Sequence, residues 1–438
     1  SGLLLILIGL LLLAHQFRPE FRVWQLFATY WPVLLIIWGL SKMFDYFAAR
    51  RTGDPTPPAF TGGEFFLLLL LLCFGVVTYI GDRIKIDDED WPFWNAGPRY
   101  SFSEETIQKG VKPAASILIT TDYGDITVLP EDSPDIRVVA MKSVGGVGSE
   151  SKAKERAAEV KVEVREEGNN YTVRPVDSKS GRRVSVDLEV HVPKQAGVDA
   201  RSGRGNIKIN GLAGSVTVDT KHGDVYVRDA GRDVQVEMRG GNLQVSGVKG
   251  NFRVTGRGND IDVSDVGGAA SIEGEYNGPI RVKNVASSTH FLSQRTDLTI
   301  GALPGRMEMD SGDLRVYDAS GSIALSTSHK DIRMDNVGGR IRIDNKKGDV
   351  ELNLKTAPKD EIEVNNESAR IDVTLPSNAT FEIQASSRNG EIDTGFDDAA
   401  LKKSEESGTA KLEGKVGARG PQIRLKTTYG TVSVRKGP

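Results

Sequence analysis

The stretch Gly205-Asn206-Ile207-Lys208-Ile209 opens a series of short segments that share one pattern. Each has a turn residue, an Asn or Asp, and two apolar residues that flank one outward position. The first apolar residue falls at positions 207, 225, 243, 261, 280, 298, 314, 332 and 350, a period of 18 with one unit of 19 and one of 16. A second apolar pair lies halfway through each unit, as at Val216 and Val218. Each unit is therefore predicted to contain two short strands and two turns.

A unit of this size cannot bury its own apolar face, whereas stacked units can, with equivalent strands paired in parallel. The sequence predicts a parallel β-solenoid over residues 200–355, with about nine coils at ~4.8 Å each. Residues 116–199, with strands around a predicted helix at Glu150–Glu159, would cap one end, and residues 356–438 would cap the other. The predicted outward positions of the coils are Lys208, Tyr226, Gln244, Asp262, Arg281, Arg315, Arg333 and Glu351.

The long apolar runs lie almost entirely before Gly81. Gly2–Ala14, Phe27–Phe47 and Phe65–Ile80 are predicted to be three transmembrane helices, because a span takes about 20 apolar residues. The first run is short and begins at the first residue, so we expect the natural chain to start earlier. A signal peptide is the alternative for that run, although a clear small-residue cleavage site is absent. We therefore predict a transmembrane region over residues 1–81 and a juxtamembrane linker over residues 82–115.

Charges in the short loops predict the orientation of these helices. The loop after the second helix carries Lys42, Arg50 and Arg51, whereas the loop after the first carries Arg18 and Arg22. This bias predicts a cytoplasmic N-terminus and a β domain on the outer side of the membrane. The sequence therefore predicts a membrane-anchored, mainly β protein.

The overall composition excludes several classes of protein. The 438 residues carry a net charge of −3, and a general nucleic-acid binder would show a basic surplus. The chain has one Cys, Cys73, which excludes a disulfide framework and a Cys-based zinc site.

Two stretches resemble known families. Residues 1–81 resemble the transmembrane region shared by the LiaI and LiaF envelope-stress proteins, in the leading Gly/Leu run and in Tyr30–Gly39. Residues 116–434 resemble the bacterial putative-adhesin domain, which is related to the toastrack domains of envelope-stress proteins. The matching features are the Gly-Asp-Val-x-Val repeats and the closing segment Gly420–Val434. The resemblance implies a β-solenoid-like fold, a bacterial cell-envelope location and no catalytic residues.

The Asn and Asp residues of the repeat are the first candidates for chemistry. They are expected to stack along one edge, at positions 206, 224, 242, 260, 297, 313, 331 and 349. A calcium ladder would relieve the repulsion between stacked carboxylates, whereas Asn and Asp can also cap a corner by bonding their own backbone. The five histidines share no metal-ligand spacing; they are His15, His191, His222, His290 and His329. We predict no catalytic, cofactor-binding or metal-binding residues, and we expect no cofactor.

Three functions remain open at this point. The first is a non-enzymatic cell-envelope scaffold or interaction protein in the bacterial cytoplasmic membrane, with a role in envelope-stress sensing. The second is an adhesin-like binder of an envelope glycan or peptide, and the third is a carbohydrate-active enzyme. The expected partners are membrane lipid, further copies of the chain in a homo-oligomer held through residues 1–115, and an envelope protein or glycan.

Overall fold

A computed structural model of the chain describes residues 99–112, 114–145, 147, 149–177 and 184–437. The three predicted transmembrane helices and most of the predicted linker lie outside these residues. Within the described ranges, no helix is long and apolar enough to cross a membrane.

The described residues form a mainly β fold in which 31 strands belong to one continuous sheet. The N-terminal elements are β1 (Tyr100–Gln108), β2 (Ser116–Tyr123), β3 (Ile126–Glu131), β4 (Ile136–Val144), α1 (Glu150–Glu159), β5 (Val160–Glu167), β6 (Asn170–Asp177) and β7 (Ser185–Pro193). The next strands are β8 (Gly197–Arg204), β9 (Ile207–Asn210), β10 (Val216–Thr220), β11 (Val225–Ala230), β12 (Val234–Met238), β13 (Leu243–Val248), β14 (Phe252–Gly258), β15 (Ile261–Val266), β16 (Ala270–Tyr276), β17 (Ile280–Val285) and β18 (Thr289–Leu292).

The remaining strands complete the solenoid and its C-terminal end. They are β19 (Thr296–Met309), β20 (Asp313–His329), β21 (Asp331–Val337), β22 (Ile341–Lys347), β23 (Val350–Asn353), β24 (Ile362–Ser368), β25 (Ile371–Pro376), β26 (Phe381–Arg388), β27 (Ile392–Thr394), β28 (Lys402–Glu406), β29 (Thr409–Val416), β30 (Gln422–Tyr429) and β31 (Val432–Gly437). We call the strands aligned with β9 face A and those aligned with β10 face B. The first corner leads from face A to face B, and the second corner leads from face B to the next coil.

The repeat generates the predicted coils. On face A, Ile207 pairs in parallel with Val225, which pairs with Leu243. On face B, Val216 pairs in parallel with Val234. The apolar positions of both faces point inward and form one buried cluster that extends from Val111 to Val434. The predicted outward positions alternate with these buried residues and are exposed or half-buried, as expected for strands with one buried face.

Glycine is required at the second corner because successive coils approach closely there. Gly205 and Gly223 both have φ of 143°. A Cβ atom on Gly223 would lie 2.0 Å from the carbonyl oxygen of Gly205, and one on Gly205 would lie 2.0 Å from the carbonyl oxygen of Gly124. These glycine positions of the second corner therefore accept no larger residue without a shift of the backbone.

One coil runs opposite to the prediction. Strand β19 pairs antiparallel with β18 on face B, where Phe291 lies opposite Leu298, and antiparallel with β17 on face A. Strand β20 then pairs antiparallel with β19 and restores the original direction. Leu298, predicted to begin a coil on face A, therefore lies on face B. Met307, predicted for the second strand, lies on face A. The fold is thus solenoid-like, but it is not parallel throughout.

Coils extend beyond both predicted limits of the solenoid. Strands β2 and β3 already form a coil, since Ile117 pairs in parallel with Val198 and Ile126 with Ile207. At the other end, β24 and β25 continue the stack with a spacing of 21 residues, from Ile341 to Ile362 on face B. Strands β30 and β31 add a further coil, and β26 to β29 lie beyond it.

The N-terminal end contains the predicted helix and one strand that was not predicted. Helix α1 has the predicted bounds, Ser149 caps it, and its buried Ala153 and Ala157 pack beneath Phe102. Strand β1, which lies inside the predicted linker, pairs antiparallel with β4. Its inward positions are largely polar, so the apolar alternation that reveals the other strands is absent here.

Candidate functional site

The predicted Asn and Asp column exists, and it forms a hydrogen-bonded ladder between coils. The Oδ1 atom of Asp125 accepts a hydrogen bond from the backbone N–H of Asn206, at 2.7 Å. The contact repeats from Asn206 to Asp224 at 2.9 Å and from Asp224 to Asn242 at 2.8 Å. It continues from Asn242 to Asp260 at 3.3 Å. Each side chain therefore caps the next coil, and the alternative in which it bonds its own backbone is wrong for these residues.

The ladder ends at Asp260, because the next coil carries Pro279, which has no N–H, at this position, and the coil after that is reversed. Asp297 lies instead 3.2 Å from His290 Nε2, and the backbone of Asp313 donates to Asp310 Oδ1 at 2.7 Å. Beyond the reversal, Asp331 Oδ1 accepts from the N–H of Asp349 at 2.9 Å. The four consecutive aspartates expected from position 297 onward therefore do not form one continuous stack. Among the described residues, no group of three His, Cys, Asp or Glu side chains could hold a metal ion.

A second column of Asn and Asp lies at the first corner and was not predicted. Its members adopt positive φ, and they include Asp229, Asp265, Asn284, Asp318 and Asn336, with φ between 52° and 57°. Asn284 Nδ2 donates to Asp265 Oδ1 at 2.7 Å, and Asn336 Nδ2 donates to Asp318 Oδ1 at 2.6 Å. Asn and Asp tolerate the left-handed backbone that this corner requires. The sequence feature that could have predicted this second column is the recurrence of Asn or Asp at nearly the spacing of the coils.

Face A carries an ion-pair network on its outer surface across the C-terminal coils. Arg333 lies 2.9 Å from Asp335 and 3.7 Å from Glu351, and Arg370 lies 2.9 Å from Asp349. Arg333, Asp349, Glu351 and Arg370 line a shallow groove of about 240 Å³. The carboxylates face arginines of the same or the neighbouring coil, so they are already partnered. Exposed pairs of this kind contribute little stability.

Face B carries a larger groove of about 410 Å³ near the second corner. Its polar lining includes Asp344, Lys346, Asn365 and Lys426. Asn365 donates from Nδ2 to Asp344 Oδ1 at 2.9 Å. Within the part of the chain that the structure describes, Lys346 and Lys426 have no ion-pair partner, and both are exposed. The groove therefore offers cationic donors beside fixed amide and carboxylate acceptors.

The histidines do not converge. His222 and His329 are exposed near turns, and His290 contacts Asp297. His191 is buried on the outer side of face A between two carboxylates, with Nδ1 2.6 Å from Glu131 and Nε2 2.8 Å from Glu189. His15 lies outside the described residues.

An arginine completes the His191 cluster. Arg137 donates to Glu131 at 2.5 Å, and this hydrogen bond is the main cause that holds the pKa of the Glu131 carboxyl below its ordinary value. Glu131 lies on β3, Arg137 on β4 and His191 on β7, so the cluster ties three neighbouring strands of the N-terminal end together. Sequence reasoning missed it because its members lie far apart in the chain.

Several solved structures are similar to this chain. A putative cell adhesion protein from Clostridium sporogenes shares 7% identity and matches 77% of this chain and 100% of its own, with a TM-score of 0.18. A putative adhesin from Bacteroides fragilis shares 12% identity over 77% of this chain and 97% of its own, with a TM-score of 0.20. One from Parabacteroides distasonis shares 11% over 78% and 98%, with a TM-score of 0.19. No curated protein matches the chain at a significant level.

Family models match both parts of the chain. Residues 1–43 match the LiaI-LiaF-like transmembrane region, which indicates association with a membrane. Residues 114–435 match the Toastrack DUF4097 model, and they include nearly all of the described coils. Since this match covers more than half of the sequence, the chain belongs to the Toastrack DUF4097 family.

Proposed function

We propose that this chain is a non-enzymatic, membrane-anchored cell-envelope protein whose solenoid-like domain is a rigid scaffold and interaction module. The observation that carries the proposal is the pairing of a transmembrane-region match at residues 1–43 with a sheet that shares one core from Val111 to Val434. A core of this kind resists bending, because each coil is hydrogen-bonded to its neighbours. The same two family matches support a role in envelope-stress sensing.

The proposed arrangement places the N-terminus in the cytoplasm and the β domain outside. We retain residues 1–81 as the transmembrane region and 82–115 as the linker, with β1 as its folded end. Residues 200–355 are the repeats, and residues 116–199 and 356–438 are the end regions, each of which adds coils to the stack before it caps it. A Cys at Gly53, in a Cys73→Ser chain, should resist impermeant thiol reagents in intact cells, whereas one at Ser103 should react. The reverse labelling pattern would reject this orientation.

An interaction role is favoured over catalysis by the state of the outward carboxylates. Several of those on face A lie against arginines, as Asp335 does against Arg333, so these are not poised as a free acid–base pair. Affinity purification of the full chain from native membranes should recover a defined envelope protein at a fixed ratio. Turnover of an envelope polysaccharide that is lost on substitution of acidic side chains would instead establish an enzyme.

The second candidate is an adhesin-like binder of an envelope glycan or peptide. The face B groove favours it, because Lys346 and Lys426 present donors beside the acceptors Asp344 and Asn365. Mixed donors and acceptors suit a ligand rich in hydroxyl groups. A Lys426→Glu chain should lose retention on a glycan array, whereas Arg281→Glu, on the opposite face, should retain it. Equal retention by both variants would reject the groove as the binding site.

The membrane region also supports a homo-oligomer as part of the proposed function. Small residues at Gly2, Gly9, Gly39 and Gly75 permit close approach between predicted helices. Symmetric homo-oligomers are the commonest assemblies of identical chains. The mass of the full chain in a mild detergent at micromolar concentration tests this, and a strict monomer would reject it.

A further inference from the structure

The two faces of the described fold have four outer strands, and one of them differs from the rest. Face A ends at β1 and at β27, and face B ends at β5 and at β28. An outer strand presents unpaired N–H and C=O groups that can pair with another chain, so natural proteins protect such edges. The question is therefore which of the four edges is protected.

Three of the edges carry recognisable protection. Strand β27 has only three residues, and β28 is the exposed, charged segment Lys402–Glu406. Strand β5 carries both Lys161 and Arg165. Strand β1 is nine residues long, contains no Lys, Arg or Pro, and pairs with β4 without a register shift. Within the described residues, no strand pairs with its other side.

Both acidic residues of β1 are compensated within their own chain. Glu104 forms an ion pair with the buried Lys142, and Glu105 lies 4.0 Å from Arg137. The strand therefore does not repel a second strand as strongly as its sequence suggests. Two of the four large apolar side chains exposed among the described residues also lie here, Ile107 on β1 and Met141 on β4. Exposed apolar groups beside an open edge are typical of a contact surface.

We propose that β1 pairs antiparallel with β1 of a second copy of this chain, about a two-fold axis at Ser103. The described residues begin next to this strand, on the C-terminal side of the part of the chain that carries the transmembrane match. Two copies in one membrane therefore hold their β1 edges at high local concentration. This inference rests on the proposed homo-oligomer and names the surface that holds it.

Charge and overlap together select the register, because axes at Glu104 or Glu105 oppose identical carboxylates, and of the remaining axes the one at Ser103 pairs the longest stretch of β1, residues 100–106. In a symmetric antiparallel pair, opposed residues lie on the same side of the sheet, so the axis passes through a residue position. An axis at Glu104 would set two identical carboxylates opposite each other, which is unfavourable. An axis at Ser103 sets Glu105 opposite Ser101 of the partner subunit and Glu104 opposite Phe102 of the partner subunit.

Two matched lysine variants of the full chain in mild detergent test the pairing. Ser101 and Ser103 are both exposed, so neither substitution disturbs the core. Ser103→Lys places two ammonium groups opposite each other and should weaken the dimer by up to about fivefold. Ser101→Lys places each ammonium opposite a Glu105 carboxylate and should leave the dimer intact. The measurement is mass by light scattering across a concentration series.

Disulfide trapping in a Cys73→Ser chain tests the same axis. Ser103→Cys should form a dimer under mild oxidation, whereas Ser101→Cys should not, because the two positions would lie about 13 Å apart. If Ser103→Lys and Ser101→Lys remain equally oligomeric, β1 is not the interface, although the homo-oligomer stands. If the unmodified chain is a monomer, the proposed homo-oligomer and this inference both fail.

Discussion

Replacing Val245 with Asp tests the coil register at its centre. Val245 is buried on face A, where it lies between Val227 and Val263 of the neighbouring coils. Loss of the buried side chain costs about 1.5–3 kcal/mol. A buried carboxyl without a partner costs about 1–3 kcal/mol more, and holding it neutral at pH 7 adds up to about 4 kcal/mol. The total is of order 5 kcal/mol or more, comparable with the whole stability of many domains.

The matched control is Gln244→Asp on the same strand. Gln244 is exposed on the outer side of face A, so its substitution should cost no more than about 0.5 kcal/mol, with a small addition from the neighbouring Asp262. Hydrogen–deuterium exchange of the full chain should show fast exchange of β11, β13 and β15 in Val245→Asp only. Equal exchange in both variants would refute the assigned register.

Three further perturbations have defined outcomes. Gly223→Ala should destabilise by about 2 kcal/mol or more, because φ is 143° and the new Cβ would meet the Gly205 carbonyl; Gly338→Ala, where a Cβ meets open space, should change the melting temperature little. Lys142→Met removes hydrogen bonds to the carbonyls of Ala157 and Val160 and should speed amide exchange in α1. Backbone hydrogen bonds from Asp313 and Gly312 lower the pKa of Asp310 from its ordinary 3.8, so the stability they provide is present above that value and lost as pH falls further. The protection of residues 310–313, taken relative to intrinsic exchange rates at each pH, should therefore fall at acid pH in the unmodified chain and stay constant with pH in Asp310→Asn.

Each of these outcomes has a result that contradicts it. Equal melting temperatures for the two glycine variants would mean that the second corner does not pack as described. Unchanged exchange in α1 after removal of the Lys142 ammonium would mean that it does not hold the helix. A pH response retained in Asp310→Asn would assign the titration to another group.

The features that were predictable from the sequence are those that repeat. Val225, Leu243 and Ile261 recur at 18 residues, so both the coil and its inward positions follow from spacing alone. Helix α1 was predictable because Ala, Lys and Glu dominate a segment that Ser149 caps. Strand β1 was not predictable, because Glu104 occupies an inward position where an apolar residue would mark a strand. Its charge is compensated by Lys142 of β4, which is far away in the sequence but adjacent in the sheet.

For the column of Asn and Asp at the second corner, the sequence predicted the stacking but not the hydrogen-bond partners. The recurrence of Asn206 and Asp224 indicated a stack, but spacing cannot tell whether a side chain bonds its own coil or the next one. The ion pairs of face A and the His191 cluster join residues from separate strands, and no local pattern connects them. Only the fold brings these charges together.

The reversed coil explains where the regular repeat fails and why the ladder, which ends before Pro279, does not resume in the next coil. An apolar-x-apolar segment such as Leu298–Ile300 has the same pattern in either direction, so its spacing cannot report which way the strand runs. Reversal moves the residue that follows each turn out of the column, so Asp297 caps no later coil and contacts His290 instead. The hairpin before β20 is held differently. Asp310 accepts from the N–H of Gly312 at 2.8 Å, and the buried Lys330 donates to the carbonyl of Asp310. The coils before the reversal and those after it therefore carry separate ladders. Between them, the turn from β19 to β20 is held by side-chain contacts that occur only there.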